Sequence, residues 1–96
     1  MPLDTSKKLS DVVLEVLKEN GTSKHMLEHR AQTLWHTVMG PTVNKATTSV
    51  RVRDGIMYVG LNSSVVRNEL FHLKGRIIAA INKATGQDVI TDIRFL

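Results

Sequence analysis

Cysteine is absent from the 96-residue chain, so neither a disulfide framework nor a thiolate metal site can form. That composition suits a reducing cytosol. Apolar runs are only a few residues long, far short of the roughly 20 needed to span a bilayer. The N-terminal MPLDTSKKLS has no apolar stretch behind its lysines, which argues against a secretory signal. A cytoplasmic protein with no membrane partner is expected. The glycines form no Walker A loop and no G-x-G-x-x-G, so nothing in the sequence supports a glycine cradle for a nucleotide. G-x-S-x-G is missing too, and with it the nucleophile elbow. His25 and His29 stand at i, i+4, but the order His-Met-Leu-Glu-His is not H-E-x-x-H, so they read as solvated histidines. Glu69 has no carboxylate nearby in sequence with which to split acid and base roles. The chain is expected to be no enzyme, with no catalytic residue, no metal, no cofactor and no small-molecule substrate.

Thirteen lysines and arginines outnumber nine acids, giving a formal charge of +4. A basic balance favours an anionic partner, of which nucleic acid is the commonest. A chain of this length suits one domain, burying roughly 65% of the surface it exposes when unfolded. Residues 1–6 read as a short flexible lead to that domain.

Lys7 to Glu19 has the apolar spacing of a helix, with Leu9, Val13, Val16 and Leu17 on one stripe and Asn20-Gly21 ending it. A second helix is expected from Ser23 to Met39, with Leu27, Ala31, Leu34 and Val38 as its core stripe. Met26 and Trp35 flank that stripe, and Gly40-Pro41 stops the helix. After a polar link the period changes to two. Asp54-Gly55 between alternating runs predicts a hairpin that pairs Arg53 with Ile56 and Arg51 with Tyr58. Val50, Val52, Met57, Val59 and Leu61 then form the core face. Ser63 or Ser64 caps a third helix reaching about Ala84, whose buried stripe is Val66, Leu70, Leu73, Ile77 and Ile81. Gly75 within it suggests close packing against a neighbour. Thr85-Gly86 ends that helix, and Val89, Thr91, Ile93 and Phe95 alternate as a last strand. The order α-α-β-β-α-β predicts an α+β domain, a three-stranded sheet with helices on one face.

The outer sheet face is the one constellation that suggests a task. Arg51 and Arg53 stand two apart, Tyr58 lies opposite Arg51, and Arg94 points away from Ile93 and Phe95. Guanidinium groups beside an aromatic ring suit phosphate contact and base stacking. Arg67 and Lys74 occupy one flank of the third helix. Arg67 is disfavoured by the positive helix N-terminus, which hints at a partner. These six residues, Arg51, Arg53, Tyr58, Arg67, Lys74 and Arg94, are the candidate nucleic-acid site.

Five segments in order, LWHTVMG, a polar link ending at Thr47, DGIMYVGLNSS, RNELFHLKGRIIAAIN and TGQDVITDIRF, resemble the DciA family over about residues 9 to 96. The resemblance is closest to short members in which Val66-Arg67 stands where others place Trp-Ala before the Glu-Leu pair, and longer members carry a flexible extension beyond this domain. It implies a KH-like fold and a role in bacterial DNA replication, loading or assisting the replicative helicase and binding nucleic acid, with DNA expected ahead of RNA. No G-x-x-G tetrad, with which KH domains clamp nucleic acid, stands anywhere in the chain. The competing expectation is an adaptor that docks on a helicase or another protein without touching DNA. In that case exposed Ile56, Ile90 or Trp35 would carry the contact.

Overall fold

The computed structural model describes residues 22–96. The predicted helix Lys7–Glu19 and the lead 1–6 lie outside them. Helix α1 spans Thr22–Met39 and is followed by a short α2, Pro41–Ala46. Strands β1, Thr47–Arg53, and β2, Ile56–Leu61, form the hairpin. Helices α3, Ser64–His72, and α4, Lys74–Thr85, then lead to β3, Asp92–Phe95. The sheet order is β1-β2-β3, with β1 antiparallel and β3 parallel to the central β2. A parallel partner needs a crossover, and α3 and α4 supply it. The result is a small α+β domain of KH-like type.

The hairpin has the expected register, from Arg53↔Ile56 through Val50↔Val59. Asp54 and Gly55 both adopt positive φ, 51° and 83°, as a two-residue turn of the primed type requires. Val52, Met57, Val59 and Leu61 consequently face inward with Ile93. Ala31 and Trp35 of α1, Leu70 of α3, and Ile77 and Ile81 of α4 close over them. Between α4 and β3, Asn82 donates to the Ile90 carbonyl and accepts from the N–H groups of Val89 and Ile90, at 2.8 to 3.0 Å.

Several expectations need correction. The polar link after Met39 is helical, because Pro41 ends α1 but also suits the first position of a new helix. Gly40, at φ 81°, takes the backbone conformation that the junction needs. The buried stripe of α1 is rotated from the expected one. Glu28, Ala31 and Trp35 are buried, Leu27 and Leu34 are half-buried, and Met26 is exposed. Burying the whole indole gains more than centring Leu34.

The third predicted helix is two helices broken at Leu73, whose N–H turns back to Leu70 at 3.0 Å. The break leaves Leu73 exposed while Leu70 and Ile77 both remain buried. Gly75 faces open space, since a Cβ there would meet no neighbouring element within 4 Å. It therefore marks no close packing. Finally, β3 begins only at Asp92, because Asn82 already occupies the main chain of Val89 and Ile90.

Candidate nucleic-acid interface

Alternation along the three strands sets the outer face. Arg51 pairs with Tyr58, and Tyr58 with Arg94, so these three form one row across the sheet. Strands lie about 4.8 Å apart and next-nearest residues about 6.8 Å apart. By that spacing Arg51 and Arg94 flank the tyrosine at about 10 Å from each other, with Arg53 one step along β1. All three arginines are exposed, and Tyr58 is half-buried. Arg51, Arg53 and Tyr58 also line an open groove with His25, Glu28 and Gln32 of α1, which runs over the β1 edge. Gln32 anchors that edge by accepting the Val52 N–H at 3.0 Å.

The row next to it carries Arg53, Ile56 and Asp92. Two ion pairs hold this end of the sheet. Lys24 meets Asp54 at 2.9 Å, and Lys74 meets Asp92 at 3.2 Å. The Lys24 ammonium holds the Asp54 carboxyl below its ordinary range, and Asp54 in turn raises Lys24. Asp92 is also held low, first by the Ile93 N–H and then by Lys74. A lowered carboxyl contributes stability above its unfolded pKa and loses it as pH falls through the folded value, so both pairs persist at neutral pH. Their consequence for the outer face is simple. Among the described residues no carboxylate pairs with Arg51, Arg53 or Arg94.

The other two singled-out cations stand elsewhere. Arg67 donates from Nη2 to the Leu61 main-chain oxygen at 2.9 Å and to that of Leu96 at 3.2 Å. Its Nε reaches the same Leu96 oxygen at 3.3 Å. The positive charge near the helix start therefore has an internal partner, the ends of β2 and β3. Lys74, besides binding Asp92, lies 5.1 Å from the centre of the Phe71 ring. With Arg94 and Phe71 these two line a second cleft beside β3. The six candidates thus fall into two groups, joined by Arg94.

Arg67→Met keeps the length of the side chain and removes the donors. Bonds from a charged donor contribute about 1.5 to 3 kcal/mol. Urea unfolding should show a loss in that range, with little change in nucleic-acid affinity. A variant as stable as the parent contradicts the strand-end role.

Phe71 was not legible as a site residue, although its i, i+3 spacing to Lys74 was a signal for the contact they make. Trp35 is fully buried, donates to Thr47 Oγ1 at 3.2 Å and tilts against Phe95 at 6.4 Å between ring centres. Ile90 is equally buried. Neither offers the exposed surface that an adaptor reading asked of them, and neither supplies a stacking platform. His25, His29 and His36 are exposed, and His36 engages Asn44 at 3.1 Å. Among the described residues no three His, Asp or Glu side chains gather as metal ligands.

No curated protein matches the chain. A family model does, the one described as "Dna[CI] antecedent, DciA", over residues 8–95. The match spans almost the whole sequence, and the α+β architecture agrees with the KH-like fold expected of such a chain. The protein belongs to the DciA family, which fits a role related to helicase loading in DNA replication.

Proposed function

We infer that this protein is a non-enzymatic accessory of DNA replication that binds nucleic acid, DNA in preference to RNA, while loading or assisting the replicative helicase. The observation that carries the reading is the outer sheet face. Arg51, Arg53 and Arg94 are exposed around Tyr58, and among the described residues none forms an ion pair with an acid. Guanidinium groups donate to phosphate oxygens in a fixed fork, and the half-buried phenol ring provides a surface for a base. The chain's excess of basic residues has the sign that draws a polyanion to that face. Membership in a replication family favours DNA as the polyanion and the cytoplasm as the place. No described helix is long and apolar enough to cross a membrane.

Lacking a G-x-x-G clamp, the chain grips the backbone by charge and does not read base edges. Binding is therefore weak, salt-sensitive and indifferent to sequence. Fluorescence polarisation with labelled dT20 and a 20-base-pair duplex tests this. The expected dissociation constant is in the micromolar range at low salt, weakening toward about 10⁻⁴ M at physiological salt. Flat titrations with both probes at low salt refute it.

A further inference from the structure

The two edges of the sheet differ. On β1 the Val52 N–H is taken by Gln32. On β3, Leu96 donates to the Val59 carbonyl at 2.8 Å and accepts from the Leu61 N–H at 3.2 Å. Alternation then turns the main-chain groups of Asp92, Arg94 and Leu96 toward β2, and those of Ile93 and Phe95 outward. The Ile93 N–H lies beside the Asp92 carboxylate and helps hold its pKa low. Among the described residues nothing meets the Ile93 carbonyl, the Phe95 N–H or the Phe95 carbonyl.

A cleft of about 340 Å³ runs along this edge, lined by all four residues of β3. Consecutive strand residues share a cleft only along the strand's edge, because its faces receive alternate side chains. Across it stand Arg67, Phe71 and Lys74. Phe71 is 60% exposed, which is unusual for so large an apolar group beside a strand with unmet hydrogen-bonding groups.

We propose that the β3 edge docks an extended acidic segment of a partner protein, which adds to the sheet as a fourth strand. Its main chain meets the Phe95 N–H and the Ile93 carbonyl. Its carboxylates face Arg94 and Lys74, and an apolar side chain covers Phe71. The acidic character follows from the lining. Arg67, Lys74 and Arg94 surround a single carboxylate, Asp92, which is already bound on two sides. A polypeptide fits better than an oligonucleotide, since nucleic acid uses the cations but leaves the outward amide and carbonyls unmet. A second copy of this chain brings the same cations against each other, which opposes self-pairing. The surface is separate from Arg51 and Arg53, so this inference does not depend on the nucleic-acid reading.

The test uses a labelled ten-residue peptide alternating Glu and Val, its Lys-Val counterpart, a version N-methylated at alternate residues, and dT20. Anisotropy reports binding, and hydrogen exchange reports the Phe95 amide. The Glu-Val peptide should bind and slow Phe95 exchange at least tenfold, while the lysine and N-methylated peptides do neither. Phe71→Ala, at an exposed position, should weaken the peptide about fivefold, and Lys74→Glu should weaken it further. The charge reversals R51E and R53E together should leave peptide binding unchanged. Three results overturn the proposal: no binding of the Glu-Val peptide, equal binding of the N-methylated one, or slowing of Phe95 by dT20 or by raising the protein concentration alone.

Discussion

Trp35→Ala lowers the unfolding free energy by about 3 to 5 kcal/mol, the cost of deleting a buried indole and leaving its cavity. Trp35 has no exposed surface and is the largest of the fully buried side chains. It is the point where α1, β1 and β3 meet, through the indole N–H on Thr47 Oγ1 and the ring against Phe95. Thr47 in turn donates to the Val43 carbonyl at 2.8 Å, so the same bond ties α2 to the start of β1. A domain of this length has a stability of roughly 5 to 15 kcal/mol, so one substitution removes about a fifth of it or more. Trp35→Phe keeps most of the apolar area and loses the donor, at about 1 to 2 kcal/mol. Urea titration followed by circular dichroism measures both. An alanine variant within 1 kcal/mol of the parent contradicts the packing described, with the helices closed over the inner face of the sheet.

Much of this architecture can be read from local sequence, and the parts that cannot share one cause. Asp54-Gly55 forces a two-residue loop, the loop fixes the register, and the register assigns every hairpin side chain to a face. Spacing alone therefore puts Arg51, Arg53 and Tyr58 on one face of the hairpin, as the register shows. Ser63 accepts the Val66 N–H at 3.2 Å, and Gly86 ends α4 in a left-handed conformation, both as their residue types demand. Where the structure departs, the deciding contact is one that apolar spacing does not encode. The break at Leu73 is invisible because the apolar spacing from Val66 to Ile81 suits one straight helix equally well. The shortening of β3 comes from Asn82, which takes hydrogen-bonding groups that alternation assigned to a strand. Arg67 looked like a charge in search of a ligand because its partner, the Leu96 oxygen, is 29 residues away. The rotation of α1 turns on where a single tryptophan finds room, which no periodicity specifies.

The cations divide by task. Lys24 and Arg67 are engaged by the chain itself, with Asp54 and with two strand ends, and Lys74 meets Asp92 while lining the cleft beside β3. Arg51, Arg53 and Arg94 are left exposed on one surface. A phosphate chain crossing the sheet beside Tyr58 meets three guanidinium groups spaced by the strand lattice. For single strands the slope of log affinity against log salt is about −0.7 per phosphate neutralised, so three contacts give about −2. Changing Arg51 and Arg53 to Glu removes two contacts. The core is untouched, because both side chains are exposed and neither forms an ion pair among the described residues. Each lost charge-assisted contact costs about 1.5 kcal/mol, so the pair weakens binding about 100-fold.

The most direct measurement is dT20 polarisation with the parent and the R51E/R53E double variant across 25 to 200 mM salt (roughly the range over which such contacts are lost). The expected result is the hundredfold loss at the lowest salt, with the slope falling from about −2 to about −0.7. A double variant that binds dT20 with the parent's affinity and slope contradicts the account, because the phosphate chain would then lie on some other surface of the protein.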